Sequence, residues 1–200
     1  MRGLRVSALL ALALLVAASS RAQPLTILDV PFVAQSELLC GGAAAAMVMR
    51  YWGERGVDAE VFRPLVDARA GGIRTDALTA ALRARRWNAI ELHGAAASLD
   101  REIEQGRPVI ALINDHANTY HYVVVVARNA DGVVFHDPAR TPFRVASTAD
   151  FDKRWAAGGR WMLVVTPAVA GEEKTRERAT PAEPSSPDDA PHYTGRGAAT

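Results

Sequence analysis

Apolar positions along the chain change their spacing near residue 89, and the two halves predict different elements. From Cys40 to about Trp52 the stretch CGGAAAAMVMRYW puts Ala43, Met47 and Tyr51 four residues apart, on one helix face, with Gly53 and Gly56 to stop it. Asp58 predicts a cap for a short helix through Val61, Leu65 and Val66, which Pro64 opposes. In GGIRTDALTAALRARRWNA the glycines at 71 and 72 mark a turn, Thr75 caps, and Leu78, Ala81, Leu82 and Arg85 share a face. SLDREIEQG, residues 98–106, predicts one more capped helix with Leu99 and Ile103 inward.

The second half reads as strands. AIEL at 89–92 is a short one, while PVIALI at 108–113 and HYVVVVA at 121–127 are continuous apolar runs, the pattern of strands buried on both faces. Asn129-Ala130-Asp131-Gly132 is a turn joining the latter to VVFHDPA, which predicts a hairpin. A strand at 142–145, a helix at 148–157 and a closing strand at 161–165 complete the pattern. Helices first and strands later predict an α+β fold, N-terminal helices packed on an antiparallel sheet, rather than a doubly wound one.

The two ends have different compositions. Residues 1–22 carry Arg2 and Arg5, an apolar run at 8–18 and small residues before Ala22. That run is too short to span a bilayer and predicts a cleaved secretory signal peptide, hence a periplasmic or secreted protein with no stable membrane insertion after cleavage. Residues 169–200 are rich in Pro, Ala, Glu and Ser, too poor in large apolar side chains to offset their ordering entropy, and predict a disordered tail. Residues 23–168 are then one domain of ordinary size. The formal charge of +1, with signs mixed throughout, gives no stripe for nucleic acid and no polybasic patch for a membrane surface.

The chain has a single cysteine, Cys40. Exported proteins normally use cysteines in pairs, so Cys40 is an inert buried residue, an intermolecular link or a reactive thiol. Taken alone, a lone cysteine packs as a small hydrophobe more often than not. At a helix start, however, it faces unpaired N–H groups and the positive end of the helix dipole, which favour thiolate. No cysteine and histidine spacing suggests a zinc site, and no cofactor is expected.

A thiolate mechanism needs a base. His192 falls in the expected tail and His93 has no acid near it, which leaves His116, His121 and His136. Pairing Ala127 with Gly132 brings His121 level with about Pro138, so His121 and Asp137 meet at one end of the hairpin. In that register His136 shares the face of His121, and a one-residue bulge, or a strand ending at His136, is needed to bring Asp137 over. Asp137 before Pro138 also reads as a turn residue bonding local backbone. His116 lies in the polar loop NDHANTY, where it could meet substrate. Gln35, five residues before Cys40, could donate its amide to an oxyanion beside the Cys40 N–H.

In this order, Gln35, Cys40-Gly41, Tyr51-Trp52-Gly53, GGIRTDALTAALRARRWNA, Gly106-Arg107-Pro108, His121-Tyr122-Val123 and Asp137-Pro138, the chain resembles the C39 group of papain-like cysteine peptidases. The best-known members remove double-glycine leaders as domains of ABC exporters. The resemblance implies a papain-like fold, Cys40 as nucleophile, His121 as general base and acid, Asp137 as its orienter, Gln35 as oxyanion donor, and a peptide or protein substrate. Two departures stand out. Those exporter domains usually read Cys-Gly-Pro where this chain has Cys40-Gly41-Gly42, and they work on the cytoplasmic side, so a signal peptide implies a stand-alone exported relative. Two alternatives remain open at this point: a thiol amidase or acyltransferase of the same fold, and a peptide-binding module without turnover.

Overall fold

The computed structural model describes residues 25–116 and 119–168; the expected signal peptide, residues 1–22, and tail, residues 169–200, lie outside them. In chain order these residues form α1 (Cys40–Tyr51), a 3-10 helix (Ala59–Leu65), β1 (Val66–Asp67), β2 (Gly72–Ile73), α2 (Thr75–Ala84), β3 (Trp87–His93), α3 (Ala96–Glu104), β4 (Val109–His116), β5 (Thr119–Arg128), β6 (Gly132–His136), β7 (Arg144–Ser147), α4 (Thr148–Ala157) and β8 (Trp161–Pro167). β1 and β2 make a small hairpin. The other strands form an antiparallel sheet in the order β3-β8-β4-β5-β6-β7, so the α+β expectation holds. In β5 the residues from His121 to Ala127 are all buried, as the apolar run predicted.

α1 is buried from Cys40 through Met49, not along one stripe. A helix apolar all round belongs in the middle of a protein. Its alanines make that possible, letting it pass between the 3-10 helix and strands β4 and β5. Gly42 marks the tightest approach: a Cβ there would stand 2.9 Å from the Ala59 carbonyl oxygen and 2.9 Å from the Phe62 Cβ. Glycine in place of proline is therefore a packing requirement here. Gly42→Ala should destabilise the fold by about 1–2 kcal/mol, because overpacking against backbone outweighs alanine's better helix propensity. A thermal melt showing the variant as stable as the parent would contradict this.

Several sequence expectations shift by a few residues. Asp58 does cap the 3-10 helix, its side chain accepting from the Glu60 N–H, and Pro64 lies inside it. Thr75 is not a cap: Arg74 occupies that position without a side-chain bond, and the Thr75 carbonyl accepts from the Thr79 hydroxyl. Thr79 rather than Ala81 or Arg85 completes the buried face of α2. α3 starts at Ala96, before Ser98. β7 starts at Arg144 rather than Pro142, because Phe143 has a φ of 52°, outside any extended strand. The described residues of segment 114–120 are strand, not loop: pairing continues through Asn114 with Tyr120 and His116 with Thr119.

The hairpin register differs too. Arg128 pairs with Val133 and Ala127 with Val134, not with Gly132. The Asn129 side chain accepts from the N–H groups of Asp131 and Gly132, and the Asn129 N–H donates to the Gly132 carbonyl at 3.0 Å, so the turn closes on this pair and Arg128 meets Val133 instead. A bulge between Val125 and Ala127 then resets the pairing to Val125 with Phe135 and Val124 with His136. The Leu28 N–H takes the Val126 carbonyl at the bulge, at 2.9 Å. Directly paired residues share a face, and one extra residue reverses every side chain beyond it. The bulge thereby puts His121 and Asp137 on the same side, opposite to that of Val124 and His136.

Candidate active site

Cys40, His121 and Asp137 come together at one end of the sheet, brought there by α1, β5 and the turn after β6. The His121 Nε2–H donates to Asp137 Oδ1 at 2.8 Å. That bond leaves Nδ1 as the ring nitrogen for the Cys40 sulfur, and the two groups lie near enough for each to shift the titration of the other. The approach to α1 is a turn closed by the Leu39 N–H on the Ser36 carbonyl, with Leu38 at a φ of 62°. A leucine in the left-handed region is strained, and Leu38 holds that conformation two residues before Cys40.

Burial, the largest influence on Cys40, pushes its thiol up. Hydrogen bonds from His121 and from the Tyr122 N–H, the His121 charge and the Gly41 N–H outweigh it, and the thiol ends below its ordinary value. Burial likewise pushes His121 down, but Asp137 and Cys40 pull it up to about 9. For Asp137 burial favours the neutral acid, yet the bond and charge of His121 and the guanidinium groups of Arg144 and Arg140 hold the carboxyl well below the usual carboxylate range. These directions describe one coupled state: thiolate, imidazolium and carboxylate in a row.

His136 is excluded as the base by its partners. Its Nε2–H donates to the Val30 carbonyl at 2.8 Å, and its Nδ1 accepts from the Phe143 N–H at 3.1 Å. Both nitrogens are committed to backbone in the neutral ring, and burial lowers its pKa. His116 is exposed on β4, bonded through Nδ1 to Asp115. Gln35 lies beside the triad: its N–H donates to the Pro138 carbonyl at 3.0 Å, which pins the residue to the Asp137-Pro138 turn. Its side-chain oxygen is buried and accepts no hydrogen bond from the described residues.

Cys40 opens onto a cleft of about 220 Å³. Residues 70–75, spanning β2, form one side, and Leu112, Tyr120 and Tyr122 the other. Tyr122 joins the two, its hydroxyl donating to the Ile73 carbonyl at 3.0 Å. Its ring packs under α1, where a Cβ on Gly41 would come within 3.1 Å of it. Burial and then the Cys40 charge raise the Tyr122 phenol, which keeps it a donor. Tyr122 enters the sequence reading only as part of a motif, with no role of its own, and the two arginines on Asp137 are absent from it. Tyr122 looks like one more residue of an apolar run, and nothing in DPARTPFR signals that its arginines turn back onto Asp137.

A family model described as "Peptidase_C39 like family" matches residues 27–161. Among solved structures, the chain is similar to a Bacillus anthracis protein described as a C39-like peptidase, with a TM-score of 0.61 and 18% identity over 72% of this chain and 98% of that one. It is also similar to the peptidase domain of Streptococcus ComA, a bifunctional ABC transporter, with a TM-score of 0.58 and 18% identity over 68% of this chain and 97% of that one. A double-glycine motif protease from an AMS/PCAT transporter, solved with its leader peptide, gives a TM-score of 0.54 and 22% identity over 72% of this chain and 99% of that one. At such identities these likenesses bear on the fold. A comparison with curated proteins finds no match.

Proposed function

Because the chain belongs to the Peptidase_C39 like family, we propose that it is an exported cysteine peptidase that hydrolyses peptide bonds through Cys40, His121 and Asp137. The observation that carries this reading is His121 bonded to the buried Asp137 and coupled to Cys40, which itself lines an open cleft. The expected signal peptide supports export, and the leader peptide bound to the PCAT protease supports a peptide as the substrate class.

The Cys40 thiolate attacks the carbonyl carbon of a peptide held along residues 71–73. The resulting oxyanion is met by the Cys40 N–H, which as the first helical residue has no intrahelical acceptor, and by the Gln35 amide. His121 gives its Nδ1 proton to the departing amine, then takes a proton from the water that cleaves the thioester. Asp137, on Nε2, keeps the imidazole in the tautomer whose Nδ1 faces sulfur.

The purified mature protein should cleave a mixed peptide pool, and Cys40→Ser should lower that rate by about 10³-fold or more. The rate should rise with pH as the thiolate forms, below the ordinary thiol value, and fall as His121 loses its proton near 9. Mass spectra should show free carboxyl termini even with added amine. Amine-capped products would instead assign acyl transfer, and no thiol-dependent products at all would contradict the reading.

A further inference from the structure

We infer that Arg140 and Arg144 form a guanidinium clamp on Asp137, making them positioning residues that set how strongly the carboxylate holds the His121 imidazolium. The inference rests on the peptidase reading for its purpose, while the clamp itself rests on geometry. Asp137 is 0% exposed. A carboxylate accepts about four hydrogen bonds, and here Oδ1 takes the His121 Nε2–H at 2.8 Å and the Ala139 N–H at 3.1 Å. Oδ2 takes Arg140 Nη1 at 2.9 Å and Arg144 Nη1 at 2.5 Å. The local-turn bond foreseen for Asp137 is therefore present together with the triad bond.

Arg140 does a second thing. Its Nη2 donates to Asp115 Oδ2 at 2.6 Å, and Asp115 Oδ1 in turn accepts from Arg154 Nη2 on α4 at 3.2 Å. Arg154 Nε also holds the Asn114 carbonyl, at 3.0 Å. Asp115 and Asn114 are on β4, whose end pairs with the segment of β5 that carries Tyr120. A chain of charge-assisted bonds thus ties the triad carboxylate to the strand ends forming one side of the cleft. Arg144 lies over the Phe135 ring, 5.6 Å from its centroid, which fixes its direction.

The electrostatic effect has a definite sign. The charged groups that act on His121 are Cys40 from α1, Asp115 from β4 and Asp137, with Arg140 and Arg144 behind Asp137. Two cations on the far oxygen of Asp137 neutralise part of the field that would otherwise hold the His121 proton. An imidazolium held too tightly is a poor acid for the departing amine, so the clamp weakens Asp137 to the benefit of that step. Losing either cation strengthens the hold.

The test follows the His121 imidazole through its titration by NMR in the mature chain, beside the pH profile of Cys40 alkylation by iodoacetamide. Arg144→Gln and Arg140→Gln should each move the His121 titration and the alkaline limb upward by about half a pH unit. Arg144→Lys, which keeps the charge on Asp137, should leave both in place. Both side chains are partly exposed, 39% for Arg140 and 33% for Arg144, so the variants should fold, and a thermal melt checks it. A His121 titration identical in parent and Gln variants, or moved equally by Lys and Gln, overturns the clamp. If Cys40 proves unreactive while the His121 shift appears, the peptidase reading fails and the clamp stands.

Discussion

His121→Ala should lower peptide hydrolysis by roughly 10³-fold or more, about as much as losing Cys40 itself, because residues that act as one unit do not contribute additively. In the proposed mechanism His121 performs two proton transfers and also sustains the thiolate. Its removal takes from Cys40 the hydrogen bond and the positive charge that offset burial. What remains is burial, which favours the thiol, against the N–H groups of Tyr122 and Gly41. The thiol should then titrate at or above its ordinary value. His136 cannot substitute, since both its nitrogens are bound to backbone.

Asp137→Asn should have the second-largest effect, on stability as well as rate. The carboxylate is buried and bonded to His121, Ala139, Arg140 and Arg144. Neutralising it leaves two guanidinium groups facing an imidazolium. Breaking a buried ion pair on one side costs about 3–5 kcal/mol, and the partial exposure of both arginines puts this case at the low end. The pH dependence of stability should change in a stated direction. Asp137 is held low when folded, so its contribution is present above the ordinary carboxylate value and fades as pH falls through the folded one. His121 is raised to about 9, so its contribution is complete below the ordinary imidazole value and fades as pH rises toward 9. These two contributions are complete together between the two ordinary values, while Cys40, held low beside them, adds one of opposite sense to that of His121, growing as pH rises toward the ordinary thiol value. In Asp137→Asn the acid-side loss should disappear and the alkaline limb of activity should move down from 9. Urea unfolding across pH, with the activity profile alongside, measures both; an unchanged alkaline limb would contradict the role given to Asp137.

How much of this was legible in the sequence depended on how local the signal was. α1, the two long strands and the hairpin turn follow from runs of apolar residues and from Asn129 to Gly132. The triad's order along the chain was equally plain. The meeting of His121 with Asp137 was legible only as a condition, because register is set by side-chain contacts across the turn and by one bulge that no residue in VVVVA announces. Both proposed remedies occur together: the bulge at Val125–Ala127 and the end of β6 at His136. Thr75 and Ser98 are good capping residues by type, yet Arg74 and Ala95 hold the cap positions, so both helices begin before the place that residue type suggests. The reason for Gly42 lies in the 3-10 helix, Ala59 and Phe62 pressing on α1, a contact between segments seventeen or more residues apart. Arg140 and Arg144 were invisible for the same reason, since their target is decided by how the 137–144 segment folds back.

The central claim is that Cys40 is a thiolate because His121 makes it one. The rate of Cys40 alkylation by iodoacetamide, followed from about pH 5 to pH 10 in the parent and in His121→Ala, tests this most directly. The parent should react rapidly well below the ordinary thiol value and hold a plateau toward pH 9, with His121→Ala slow until the thiol titrates on its own. Superimposable profiles, or a parent that reacts no faster than a free thiol at neutral pH, would contradict it.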